Sequence, residues 1–189
     1  MVRLPISLVR GNNQQVVEAI LLELNQQHVA DFHSFWQASL RRFSQEDKYW
    51  DWAFKQRLTV RNARYESYAV ECDGCTQGLM MLETEGHASQ FYPGKRLVYV
   101  AALSVAPWNR RQVQRPPRFK TVGSVLLNFS RLRSLELGYE GRVGLHALPG
   151  AEGFYERKDM MRLDPDPDDF IDAEDEQLTY FEYPAWKRR

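Results

Sequence analysis

Along the first third of the chain, apolar residues recur at helical spacing. Val16, Val17, Ile20, Leu21 and Leu24 share one helical face, and Phe32, Phe35, Trp36, Leu40 and Phe43 repeat the pattern after "HVAD". A further aromatic segment, "DKYWDWAFKQRL", follows Ser44, whose "SQED" is an N-cap signal with an acidic first turn. The spacing predicts a helical N-terminal part over residues 1–62. From Tyr65 the period drops to two, and "YESYAVEC", "TQGLMMLE" and "RLVYVAALSV" read as a meander of three strands, with a turn at Asp73-Gly74 between the first two. "TVGSVLLNFSRLRSLELG" returns to helical spacing, with Val122, Val125, Leu126, Phe129 and Leu132 on one face, Thr121 as N-cap and Gly138 as the terminating glycine. A strand "RVGLHAL", a short helix "GAEGFYERKDM" and a last strand "LTYFEYP" follow. Such a mixed run, without repeats or an evident linker, predicts one α+β domain over residues 1–189: the helical part, a sheet over 63–161, then an acidic loop and final strand over 162–189.

Composition narrows the function classes. The 25 basic and 25 acidic residues cancel, so no overall field draws the protein to nucleic acid or to an anionic membrane. No apolar run approaches the ~18 to 20 residues that span a bilayer, and "MVRLPISLVRGNNQQ" has no apolar region followed by a small-residue cleavage site, which predicts a cytoplasmic protein. The charges are nevertheless segregated. Arg110, Arg111, Arg115, Arg118 and Lys120 fall in one stretch, whereas "DPDPDDFIDAEDE", from Asp164 to Glu176, holds no basic residue. The first of these lies in "LSVAPWNRRQVQRPPRFKTVGSVLL", which runs from a strand through a basic loop into a helix N-terminus, a junction suited to pyrophosphate. Cys72 and Cys75 in "CDGC" read as thiols flanking a tight turn, since there is no second cysteine pair and the four histidines are scattered. Tyr49, Trp50 and Trp52 read as core.

From Tyr65 to Met161 the chain resembles the GNAT superfamily of acetyl-CoA-dependent N-acetyltransferases. Leu103-Ser104-Val105 and then Arg118-Phe119-Lys120-Thr121-Val122-Gly123 resemble that family's Leu-x-Val strand and its Arg/Gln-x-x-Gly-x-Gly/Ala loop. Ala151-Glu152-Gly153-Phe154-Tyr155-Glu156 resembles its later Ala-x-x-Phe-Tyr-Glu. Thr121 stands where a glycine is usual, the loop before Arg118 is longer than in most members, Leu148 replaces a common asparagine, and Asp159-Met160 replaces Gly-Phe. The resemblance implies a mixed, mostly antiparallel central sheet with splayed middle strands, flanked by helices. It further implies that the strand Leu103, Ser104, Val105 diverges from "RVGLHAL" to admit the pantetheine arm of acetyl-CoA. Arg118, Phe119, Lys120, Thr121, Val122, Gly123 and Ser124 would hold the pyrophosphate, with Arg110, Arg111 and Arg115 available for the remaining phosphate. The Val105 N–H would polarise the thioester carbonyl and Tyr155 would protonate the departing sulfur.

The implied reaction is acetyl transfer by direct attack of a primary amine, borne by a small molecule or a peptide, with neither membrane nor nucleic acid as partner and a homodimer left open. Glu83, Glu85 and His146 are candidates for the base, and nothing in the spacing chooses among them. The acidic loop, near the acceptor side in this family, would favour a cationic acceptor. Two alternatives remain: a catalytically weak acyl-CoA-binding or regulatory module, and a toxin-like acetyltransferase acting on aminoacyl-tRNA, to which the zero net charge lends no support.

Overall fold

In the computed structural model, which describes residues 2–164 and 178–186, the chain opens with a β-hairpin where the periodicity predicts a helix. Strands β1 (Arg3–Val9) and β2 (Val16–Glu23) pair antiparallel, and β2 pairs on its other side with β3 (Tyr65–Cys72). The buried side chains of β2 are Ala19 and Leu21, two apart, while Val16 from the predicted helical face is 63% exposed. The β-branched Val16, Val17 and Ile20 lose rotamer freedom in a helix and fit a pleated surface. Pairing on both edges then fixes the extended form. Pro5 lies in β1, at the sheet's edge, where proline is tolerated.

Helix begins at Gln26. α1 (Gln26–Asp31) and α2 (Gln37–Arg42) are joined by a π turn over Phe32–Trp36. Asn25 caps the start by accepting from the Gln27 and His28 N–H groups, and His28 Nδ1 accepts in return from the Asn25 N–H. Of the predicted helical face, Phe32, Trp36 and Leu40 are fully buried, but Phe35 and Phe43 are exposed. Ser44 caps nothing: its φ is 48°, and a 3₁₀ turn (Glu46–Tyr49) leads to α3 (Trp52–Arg61), which Asp51 caps through the Phe54 N–H. Of the three aromatic residues read as core, only Trp52 is fully buried, and Tyr49 is exposed.

The meander follows as β3, β4 (Cys75–Glu83) and β5 (Val98–Val105), with Asp73 and Gly74 at φ 53° and 70°, the left-handed pair that a two-residue hairpin turn requires. Then come α4 (Val122–Glu136), β6 (Val143–Ala147), α5 (Glu152–Glu156), β7 (Met161–Leu163) and β8 (Thr179–Tyr183). α4 stops at Gly138, φ 78°, where the N–H groups of Gly138 and Tyr139 reach back to the carbonyls of Leu135 and Ser134. Leu132 is exposed, and the small Ser130 and Ser134 take buried positions instead. The short β7 has no counterpart in the sequence prediction. Among the described residues, eight strands form a mostly antiparallel sheet, ordered β1-β2-β3-β4-β5-β6-β8-β7 with β5 and β6 parallel, flanked by helices: the fold class that the resemblance implies.

By internal contacts the chain divides into two compact units, Met1–Leu82 with Ala102–Phe129, and Glu83–Ala101 with Ser130–Arg189. In the first, Gly78 of β4 lets α4 come close: a Cβ there would lie 2.6 Å from Val122 Cγ1 and 2.9 Å from Leu126 Cδ1. The second has its own core of Leu97, Val98, Val143, Leu145 and Phe181. The acidic loop, beyond Asp164, lies outside the described residues. Among the described residues no helix is long and apolar enough to cross a membrane.

Candidate active site

In the first unit, Leu103, Ser104 and Val105 form the end of β5. Ser104 is buried, and its hydroxyl donates to Asp47 Oδ2 at 2.5 Å. Arg110 completes the cluster. Its guanidinium donates to both Asp47 oxygens (2.8 and 2.5 Å), to Ser104 Oγ (3.1 Å) and twice to the Val105 carbonyl (3.0 and 2.8 Å). Arg110 is therefore not free to bind a cofactor phosphate, contrary to expectation. It clamps the end of β5. Burial pushes the Asp47 carboxyl up, but the hydrogen bonds and charge of Arg110, aided by Ser104, outweigh that and hold it below the ordinary carboxylate value. Gln77 of β4 fastens the segment beyond: Trp108 Nε1 and Asn109 Nδ2 donate to its side-chain oxygen (2.8 and 3.0 Å), and the Ala106 N–H to its carbonyl (2.9 Å).

The loop ahead of α4 is sewn to the β1–β2 hairpin. The N–H groups of Arg118, Phe119 and Lys120 go to the Trp108 carbonyl, Asn109 Oδ1 and the Val9 carbonyl, and the Gly11 N–H goes to the Arg118 carbonyl. Gly11 permits this approach, since a Cβ there would lie 1.7 Å from the Pro117 oxygen. Phe119 is buried, with the Arg10 and Arg118 guanidinium groups each 5.5 Å from its ring. The carbonyl of Thr121 accepts the first helical bond, from Val125, while its hydroxyl accepts from Val9 N–H at 3.3 Å. Thr121 thus takes the cap position, but its side chain fastens β1 rather than the helix. The N–H groups of Thr121, Val122, Gly123 and Ser124, at the helix start, have no intrahelical acceptor. Beside this loop, Arg10, Arg115 and Arg118 line a cavity of about 220 Å³, and Arg10 and Arg118 share Asp73 as counter-ion.

Tyr155 belongs to the second unit, on α5. Its ring packs against Phe154 and Phe181 (5.1 and 5.7 Å), and burial pushes its phenol well above the ordinary tyrosine value. Two of the candidate bases meet in this unit. Glu83 pairs with His87 (3.0 Å), His87 stacks on Tyr99 (4.3 Å, 12°), and the Tyr99 hydroxyl lies 2.8 Å from His146 Nδ1. Tyr180 stands 5.2 Å from His146 and donates to the buried Glu182, which also accepts from Ser89 and the Gln90 N–H. Glu85 is exposed and takes part in none of these contacts. The sequence reading missed Tyr99, His87 and Asp47, whose partners stand tens of residues away and carry no local signature.

No protein-family profile matches the chain, and no curated protein sequence does. Solved structures do match. The GNAT domain of S. lividans PAT superposes with a TM-score of 0.60 over 96% of either chain at 13% identity. The paia N-acetyltransferase from Thermoplasma acidophilum, solved in complex with coenzyme A, gives 0.56 over 88% of this chain and 98% of that one at 11% identity. AAC(6')-Iy, solved with the bisubstrate analogue CoA-S-monomethyl-acetylneamine, gives 0.52 over 74% and 85% at 13% identity. The fold is that of the GNAT N-acetyltransferases, as the sequence resemblance implies.

Proposed function

We propose that this chain moves an acetyl group from acetyl-CoA to a primary amine by direct attack. The observation that carries the reading is the junction of β5, basic loop and α4 within a GNAT fold. The loop N–H groups up to Lys120 hold the loop in place, and those of Thr121 to Ser124 remain to meet the cofactor pyrophosphate, where the helix dipole also favours an anion. Arg118 and Lys120 add side-chain charge. The ladder between β5 and β6 covers Val98 and Tyr99 opposite Val143 and Gly144, which supports a pantetheine site on the backbone of Leu103, Ser104 and Val105 beyond it.

The chemistry needs a polarised carbonyl, an uncharged amine and a stabilised leaving group. The Val105 N–H polarises the thioester carbonyl, and Arg110 on the Val105 carbonyl keeps that donor in place. Tyr155 serves the leaving thiolate. Its phenol is more basic than an ordinary tyrosine, so full transfer of its proton to a thiolate of pKa ~8.5 is uphill by at least ~2 kcal/mol. Tyr155 therefore stabilises the sulfur chiefly by hydrogen bonding, and the thiol takes its proton finally from solvent. The test is calorimetry of acetyl-CoA with the wild type and Gly123→Trp. Blocking about two charge-assisted bonds of roughly 1.5–3 kcal/mol each should weaken binding by about 100-fold or more. Unchanged affinity in a folded variant contradicts this site.

A further inference from the structure

His146 is exposed and has titratable groups around it from four segments: Tyr99 on β5, Tyr180 and Glu182 on β8, His87 in the loop after β4, and Glu83 at the end of β4, which reaches it through His87 and Tyr99. Register places this group on one face of the sheet. Tyr99 is opposite Gly144 and His146 opposite Tyr180, so these side chains alternate with Leu145 and Phe181. Tyr155 packs on Phe181 and so lies on the other face. One face of β6 and β8 thus carries a histidine relay and the other carries the tyrosine assigned to the leaving group.

Resting on the acyl-transfer reading above, we propose that His146 is the base that takes the proton of the attacking amine, and that Tyr99 is the residue that positions it. In the tautomer that carries its proton on Nδ1, His146 donates to the Tyr99 oxygen, 2.8 Å away, and leaves the lone pair on Nε2 of an exposed ring. Nε2 takes a proton from the bound ammonium and passes it to water. The freed nitrogen attacks the thioester carbon and a C–N bond forms, the C–S bond breaks with its electron pair on sulfur, and the nitrogen's remaining surplus proton goes to solvent. Desolvation and the facing His87 both push the His146 imidazole below the ordinary histidine value, so it is neutral and able to accept at neutral pH. Burial keeps the Tyr99 phenol protonated, so it stays a neutral partner. Glu83 is engaged by His87, and Glu85 stands outside the cluster, which separates the three candidates that the sequence leaves level.

The experiment compares wild type, His146→Gln and Tyr99→Phe on two acceptors: an alkyl primary amine, largely protonated at neutral pH, and a hydrazide, already neutral. For His146→Gln, kcat/KM with the alkyl amine should fall by about 10²- to 10⁴-fold, while the hydrazide rate and the affinity for acetyl-CoA change little. In the wild type the acid limb of kcat/KM should lie below the ordinary histidine value of ~6.5. Tyr99→Phe should move that limb to lower pH, because the imidazolium loses an acceptor for Nδ1–H. Equal losses on both acceptors, or none, overturn the assignment of His146, and an unmoved limb in Tyr99→Phe overturns the role of Tyr99. A wild type that transfers acetyl to no amine overturns the acyl-transfer reading itself, and the base with it.

Discussion

Replacing Asp47 by Ala would leave the largely buried Arg110 guanidinium without its counter-ion, and the Val105 carbonyl bonded to an unbalanced charge. Removing one partner of a buried pair costs about 3–5 kcal/mol. Urea unfolding should therefore show Asp47→Ala destabilised by an amount in that range, and a loss below 1 kcal/mol, roughly what an exposed pair gives, would contradict the clamp. The pH dependence has a definite sign. Because the folded carboxyl is held below its ordinary value, its contribution is complete above the unfolded value of ~3.9 and is lost as pH falls through the lower folded value. Acid should therefore cost the wild type more stability than it costs Asp47→Ala. Tyr155→Phe is the complementary change. It removes one hydroxyl from a ring packed on Phe181, so acetyl-CoA affinity should hold while kcat falls by about 10- to 100-fold, the worth of a hydrogen bond to a charged group. Since the phenol is raised well above its ordinary value, no high-pH limb from Tyr155 should appear in the assay range. Full activity in the Phe variant would make Tyr155 structural.

The hairpin of β1 and β2 positions the loop that precedes α4, and Gly11 is where the two meet. A methyl group at that position has to displace backbone rather than a flexible side chain, and overpacking of this kind costs about 1–3 kcal/mol. Gly11→Ala should lower the denaturation midpoint accordingly and weaken acetyl-CoA binding with it. An unchanged midpoint would mean that the contact is dispensable. This element is also where the sequence misleads. "VVEAILLE" is a short apolar run that fits one helical face as well as a strand, and its partners, Leu4 to Val9 on one side and Tyr68 to Glu71 on the other, are read only from tertiary pairing. One local signal was present: Leu4, Ile6 and Leu8 alternate at period two ahead of the turn residues Gly11, Asn12 and Asn13. The meander, α4 and the tyrosine helix were legible because each carries its own periodicity and its own terminator, such as Asp73-Gly74 or Gly138.

For the molecule as a whole, the fold follows from the order of elements together with two motifs, and structures at 11 to 13% identity share it. The site is less legible, for a physical reason. Its motifs lie on contiguous stretches, but Asp47 meets Ser104 and Arg110, and Tyr99 meets His146, only after folding brings distant segments together. Loop composition therefore pointed to Arg110 as a phosphate ligand, when a buried carboxylate from another element had already engaged it. The central claim is that this chain catalyses amine-dependent cleavage of acetyl-CoA. It is tested most directly by incubating the purified protein with acetyl-CoA and a panel of primary amines, and measuring released coenzyme A thiol beside acetylated product. The account predicts thiol release that requires both protein and amine and matches product mole for mole. Acetyl-CoA that binds without amine-dependent thiol release would contradict it and mark the chain as a binding module.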